Sequence, residues 1–234
     1  RYQMGSDLQA AIDNGEFQLY YQPKVCMYSG KPNSCEALLR WLHPQLGFIS
    51  PAEFIPLAED LGLINRIGHY VIEEACQQIA VWQQAGKEIN VAINVSAKQF
   101  QQGDIAEQIL ETLQQHNVPS HLLSVELTES CFLYCPEETK KAINTLRSHS
   151  IQVAIDDFGT GYSSLSYIRT MELDILKIDR SFLVNLEASH VDRAIVSSII
   201  EMSHVLGLKV VAEGIEHQSQ MDILRQMKCD QLQG

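Results

Sequence analysis

The sequence predicts an α/β protein closed into a (β/α)8 barrel, on three observations. Short apolar, β-branched runs alternate with longer segments of helical periodicity, the pattern of repeated strand–helix units and a parallel sheet. Eight strand segments of this kind occur, enough to close a barrel. With 234 residues, 45% of them hydrophobic, the chain can bury one large core. Length alone also admits two small domains, but no low-complexity linker divides the chain, so 1–234 reads as one domain.

The first two strands are FQLYYQPKV (17–25) and SCEALLRW (34–41), followed by helices at 50–62 and 65–86. Ser50-Pro51 fits an N-cap with proline at the first helical position, and Gly86 fits a helix end. Then come strand INVAINVS (89–96), a helix at 104–117, strand LLSVELTE (122–129), a helix at 136–150 and strand QVAIDDFG (152–159). A helix at 162–171 leads to strand ILKID (175–179), and one at 188–207, ended by Gly207, leads to LKVVAEG (208–214). The last pair is a helix at 217–228 and strand CDQLQG (229–234).

A net charge of -12 excludes a general nucleic-acid or anionic-membrane surface, which needs an excess of lysine and arginine. Any bound phosphate needs a local cation. The six cysteines (Cys26, Cys35, Cys76, Cys131, Cys135, Cys229) form no C-x-x-C pair and no cysteine–histidine cluster, and read as reduced packing residues of a cytosolic protein. Cys131 and Cys135 are close, but four-residue spacing is a weak zinc or disulfide signal. No apolar stretch approaches the roughly 20 residues of a membrane helix. The start lacks an initiator methionine and a signal peptide, and the end is a strand with nothing after it to cover its outer face. Both ends read as cuts in a longer protein.

Polar residues interrupt the strands near their C-terminal ends: Glu36, Asn94, Glu126 with Glu129, Asp156 with Asp157, Lys177 with Asp179, Glu213 with Glu216, and Gln233. In a parallel barrel these ends share one mouth, the face where barrels do chemistry. Oxygen donors from Glu36, Asn94, Glu126, Asp156, Asp157 and Glu213, with no cysteine or histidine among them, suit Mg²⁺ or Mn²⁺ rather than zinc. Five carboxylates with one lysine exceed what one divalent ion balances, whereas two ions about 3.5–4 Å apart would balance them. One of the adjacent aspartates would bridge the ions while its neighbour binds the second. Singly, such residues are more often helix caps, loop hydrogen-bonders or salt-bridge partners; recurrence on nearly every strand end favours a site. GTGYSS (159–164) lacks the Gly-Lys-Ser/Thr ending of a phosphate loop and reads as a turn next to the site, with Ser163 or Ser164 capping the next helix.

With YQPKV, EALLRW, NVS, ELTE, DDFGTGYSSL, LKIDRSF, VAEGIE and QG in order over the whole chain, the sequence resembles the EAL domain family of cyclic di-GMP phosphodiesterases. The resemblance implies a TIM-like barrel whose first strand is antiparallel. It places one metal on Glu36, Asn94, Glu126 and Asp156 and the second on Asp156, Asp157 and Glu213. Lys177 would orient or help deprotonate the attacking water, Gln233 would hold that water or its neighbours, and Glu129 would steady the DDFGTG loop. Arg40 would contact a substrate phosphate, with Gln22 and Glu216 at the substrate rim. The implied reaction is hydrolysis of cyclic di-GMP to linear 5′-pGpG by a two-metal-activated water. The implied partners are a fused sensory or diguanylate cyclase domain and a second copy, joined through YSSLSYIRTMELD (162–174). Nothing implies DNA, RNA or membrane contact by this domain, and its expected location is the cytoplasm.

Departures from the family pattern are Ser34-Cys35 before the EAL glutamate, Glu172 for a frequent proline, and Lys228 before Cys-Asp; none is a metal ligand. The alternatives are a receptor or interaction module that does not turn the dinucleotide over, and a glycosidase using Glu126 and Glu213. The second leaves Asn94, the Asp-Asp pair and Lys177 without a purpose.

Overall fold

Period-2 alternation on each strand splits the residues between the lumen and the helical outer layer. A computed structural model describes residues 2–101, 104–134, 136–159 and 165–234. The elements are α1 (Tyr2–Asn14), β1 (Phe17–Cys26), β2 (Pro32–His43), β3 (Gly47–Ile49), α2 (Pro51–Asp60), α3 (Ile64–Gln84), β4 (Asn90–Val95), α4 (Ala97–Gln101), α5 (Ile105–Gln115), β5 (Leu123–Thr128), α6 (Ser130–Tyr134), α7 (Pro136–Ser148), β6 (Gln152–Phe158), α8 (Leu165–Thr170), β7 (Ile175–Ile178), α9 (His190–Val205), β8 (Lys209–Glu213), α10 (Gln218–Gln226) and β9 (Gln231–Gln233).

The sheet runs β1-β9-β8-β7-β6-β5-β4-β2-β3, and pairing of β1 with β2 closes it into an eight-stranded barrel. β1 is antiparallel to both neighbours, with Gln22 opposite Glu36 and Lys24 opposite Gln233; from β2 through β4 to β9 the barrel pairings are parallel. The expected barrel and its reversed first strand are therefore both present.

Four elements are additional to those expected. Helix α1 buries Leu8 and Ala11, with Met4 and Ile12 packed on the core; their i, i+4, i+7, i+8 spacing was a legible amphipathic signal. Strand β3 spans three residues and helices α4 and α6 five each, too short for periodicity to register. The eighth barrel strand is also better covered than expected: Leu232, on its outward side, is 3% exposed within the core. Ser50 precedes Pro51 as the N-cap residue of α2, without a side-chain cap bond. Gly86 and Gly207 take φ of +72° and +78°, the left-handed conformation that ends a helix cheaply only with glycine.

Two features position the site. Within the lumen, Ala154, Ile175 and Val211 form a small apolar plug, and the next inward residue on each of these strands is Asp156, Lys177 or Glu213. The charged layer thus stands on a dry floor. On the rim, β2 pairs with β4 only over Ser34–Ala37 but with β1 as far as Trp41, so the β1–β2 ribbon, extended by β3, rises beyond the mouth. An aromatic cluster of Phe17, Trp41, Phe54 and Tyr70 anchors it from outside, with ring centroids 5.6–6.2 Å apart.

Candidate active site

Adjacent strand residues normally point to opposite faces, so Asp156 and Asp157 could not both serve the mouth from a regular strand. β6 gains one residue relative to β7 between Ile155 and Phe158, and at this bulge Asp157 adopts φ 53°. Aspartate tolerates that conformation better than most residues, and Asp156 Oδ1 accepts the Asp157 N–H at 2.8 Å. The result is two carboxylate groups sharing one member. Glu36, Glu126 and Asp156 each offer an oxygen within 4.8 Å of the others', and so do Asp156, Asp157 and Glu213. Asn94 lies beside the first group, donating from Nδ2 to Glu36 Oε1 at 2.6 Å.

Lys177, 1% exposed, rises through the middle. Its ammonium reaches Glu213 at 2.6 Å, Asp156 at 3.1 Å, Glu36 at 3.2 Å and the near oxygen of Glu126. Sequence reasoning missed a second lysine: Lys24 on β1 is buried and pairs with the other Glu126 oxygen. Its signal was its inward register two residues beyond Gln22. Five carboxylates and two ammonium groups leave an excess of three negative charges. Glu126, 2% exposed, has each of its oxygens paired with a lysine.

The charge excess shows in the protonation equilibria. Burial opposes ionisation of Glu36, but Lys177 and hydrogen bonds from Gln233 and Asn94 hold its carboxyl below the usual range. Burial pushes Glu126 up against the pull of Lys177 and Lys24, and Asp156 up against Lys177 with Asp157 adding to the rise. Burial works against the Lys177 ammonium, yet the surrounding carboxylates keep it protonated well above its ordinary range. Glu213 is pushed up to about 7 chiefly by burial, which with the help of Asp156 and Glu36 outweighs the pull of Lys177.

Glu213 yields a pH prediction for the chelator-treated protein. With a folded-state pKa above the unfolded one, the fold holds the extra proton between about 4.5 and 7, so stability falls as pH rises through that window. Thermal unfolding should show Tm about 5 °C lower at pH 8 than at pH 5.5, with Glu213→Gln flattening the slope. A Tm that climbs over this range would contradict the assignment.

The remaining residues surround this centre. Gln233 Nε2 donates to Glu36 Oε2 at 2.7 Å and Gln22 Oε1 at 3.0 Å, tying β9, β2 and β1 at the closing seam. Gln233 Oε1 is buried with no protein partner among the described residues. Glu129 Oε1 accepts the Gly159 N–H at 3.0 Å, linking the β5 end to the DDFGTG turn. Asp179 caps the turn Arg180–Phe182 through Ser181 N–H, a structural role. Glu216 lies at the exposed rim, paired with Arg180 at 2.6 Å. Arg40 lines a cavity of about 460 Å³ together with Asn94, Glu126 and Asp157. Ser163 and Ser164, the expected helix caps, and Cys135, the near neighbour of Cys131 in sequence, lie outside the described residues.

The donor chemistry fits hard divalent cations. All candidate ligands are oxygens, the carboxylates stand in two overlapping groups, the net charge is negative and the orphaned Gln233 oxygen is buried beside Glu36. An acidic, oxygen-only centre at the C-terminal mouth of a barrel is an arrangement that can hold divalent cations and support metal-assisted hydrolysis. Residues 6–234 match the model of the EAL domain, and the chain belongs to that family. It is 42% identical over 234 residues to the bifunctional diguanylate cyclase/cyclic di-GMP phosphodiesterase MucR of Pseudomonas aeruginosa, covering 99% of this chain and 34% of MucR. It is 38% identical over 233 residues to the cyclic di-GMP phosphodiesterase NbdA of the same organism, covering 99% of this chain and 30% of NbdA. The solved MucR phosphodiesterase in complex with c-di-GMP superimposes with a TM-score of 0.94 at 40% identity, over 99% of this chain and 94% of that one. The chain spans about a third of the length of the curated relatives it matches. Among the described residues no helix is long and apolar enough to cross a membrane.

Proposed function

We propose that this domain hydrolyses cyclic di-GMP to linear 5′-pGpG, ending a bacterial second-messenger signal. The observation that carries the reading is the pair of oxygen-only carboxylate groups joined at Asp156, with a buried lysine among them. Glu36, Asn94, Glu126 and Asp156 would hold one Mg²⁺ or Mn²⁺ ion, and Asp156, Asp157 and Glu213 the other. When bound, such a pair supplies hydroxide near neutral pH and neutralises charge on the phosphoryl oxygens.

The protein residues do the rest. Water oxygen attacks phosphorus in line, the P–O3′ bond breaks, and the leaving O3′ takes a proton, giving a 5′-phosphate and a free 3′-hydroxyl. Lys177, set among Glu36, Glu126, Asp156 and Glu213, orients the attacking water or helps deprotonate it and balances anionic charge. Gln233 presents its free buried oxygen as an acceptor toward the nucleophile side. Glu129 fixes the chain at Gly159 after β6, while Arg40 would meet a substrate phosphate and Gln22 and Glu216 would stand at the substrate rim.

The domain is read as one module of a longer protein, facing the cytosol and fused to a sensory or diguanylate cyclase domain. The proposed homodimer uses residues 162–174, of which 162–164 lie outside the described residues. The test is cyclic di-GMP turnover with Mg²⁺ or Mn²⁺ against a metal-free control and Glu36→Ala. Metal-dependent pGpG, lost in the variant, is expected; tight binding without turnover in either metal would make the domain a receptor instead.

A further inference from the structure

We propose that Tyr20 and Phe48 are positioning residues for Arg40, holding its guanidinium over the mouth to meet a phosphate of the bound cyclic dinucleotide. The inference deepens the phosphodiesterase reading and rests on it. Gln22 and Glu36 face the site, so by alternation Tyr20 and Gln18 on β1, and Leu38, Arg40 and Leu42 on β2, share that face on the ribbon that rises past the rim. Arg40 pairs across the strands with Gln18, which puts Tyr20, opposite Leu38, on its diagonal. Phe48, opposite Leu42, occupies the other diagonal from β3. Such diagonal neighbours lie within reach of long and aromatic side chains.

The Arg40 guanidinium lies 5.7 Å from the Tyr20 ring centroid and 5.8 Å from that of Phe48, close enough for cation–π attraction to both. Its Nη1 donates to the Leu39 carbonyl at 3.0 Å, and it forms no ion pair among the described residues, in a chain with 29 acidic side chains. The two rings are 53% and 56% exposed, and the arginine they flank lines the 460 Å³ cavity. A carboxylate would restrain the arginine equally well but would cancel the charge that an incoming phosphate needs. Ring faces restrain the planar guanidinium and leave its charge and donors available.

The test compares Tyr20→Leu, Phe48→Leu, the double variant and Tyr20→Phe, each with Arg40 present and in an Arg40→Ala background. Steady-state hydrolysis of cyclic di-GMP is measured alongside equilibrium binding of its phosphorothioate analogue. Each leucine variant should raise KM and Kd about two- to fivefold and the double variant roughly tenfold, with kcat within about twofold and Tyr20→Phe restoring the original values. In the Arg40→Ala background the same changes should add nothing. Unchanged KM and Kd would overturn the proposal while leaving the phosphodiesterase reading intact. An equal loss in the Arg40→Ala background would also overturn it, because the rings would then touch the ligand themselves. Binding without turnover would sink the enzyme reading, and the Kd comparison alone would then decide the clamp; absence of both removes reading and clamp together.

Discussion

Lys177→Met is expected to lower the Tm of the chelator-treated protein by roughly 10 °C at pH 8, and by clearly less at pH 5.5. The ammonium is 1% exposed and touches Glu36, Glu126, Asp156 and Glu213. Removing one partner of a buried ion pair costs about 3–5 kcal/mol, because the charge left behind keeps its desolvation penalty without compensation. Here the groups left behind can take up protons. The folded-state pKa values of Glu126, Asp156 and Glu213 then lie further above the unfolded ones, so the loss shrinks as pH falls through that window. Divalent cation should offset part of the loss at pH 8, since it binds the folded state alone. Differential scanning calorimetry at the two pH values, with and without chelator, checks all three parts. An equal drop at both pH values would mean that packing of the lysine stem, rather than its charge, dominates.

Asp156→Asn is expected to reduce cyclic di-GMP hydrolysis by at least about 10³-fold and at the same time to raise the metal-free Tm by a few degrees. The two effects share one cause. Asp156 is the residue common to both carboxylate groups, so its loss weakens both cation positions, and metal-borne charge stabilisation is worth several kcal/mol in the transition state. Without cations, its burial and the neighbouring Asp157 and Glu36 carboxylates make its charge costly despite Lys177. Lys177 keeps three other partners in the variant, and an asparagine Oδ1 can still accept the Asp157 N–H. Kinetics and calorimetry on one preparation test the trade. Retained turnover would remove Asp156 from the metal set, and a Tm fall of more than about 5 °C would show that the Lys177 pair outweighs the repulsion.

Such opposed effects arise where a site is built against the stability of its own fold. The dry plug of Ala154, Ile175 and Val211 raises the cost of every charge above it, and that same dryness strengthens electrostatic interactions with a bound phosphoryl group.

The strand–helix alternation determined the barrel, because each βα unit carries its own period and its own turn residues. Recurrent polar residues at strand ends marked the mouth and the acidic residues that cluster there, because chain direction in a parallel barrel places those ends together. The sequence also carries the helix at Tyr2–Asn14 in its apolar spacing. Three things only the tertiary structure decided. The bulge at Asp156–Asp157 depends on the register of β6 against β7, a relation between strands that no local pattern encodes. Lys24 becomes part of the charge balance because β1 runs backwards and brings it beside Glu126. The Tyr20–Arg40–Phe48 stack joins three strands through cross-strand diagonals. Local propensity and periodicity act along the chain, whereas register, reversal and side-chain stacking are set by contacts between segments that meet only when the barrel closes.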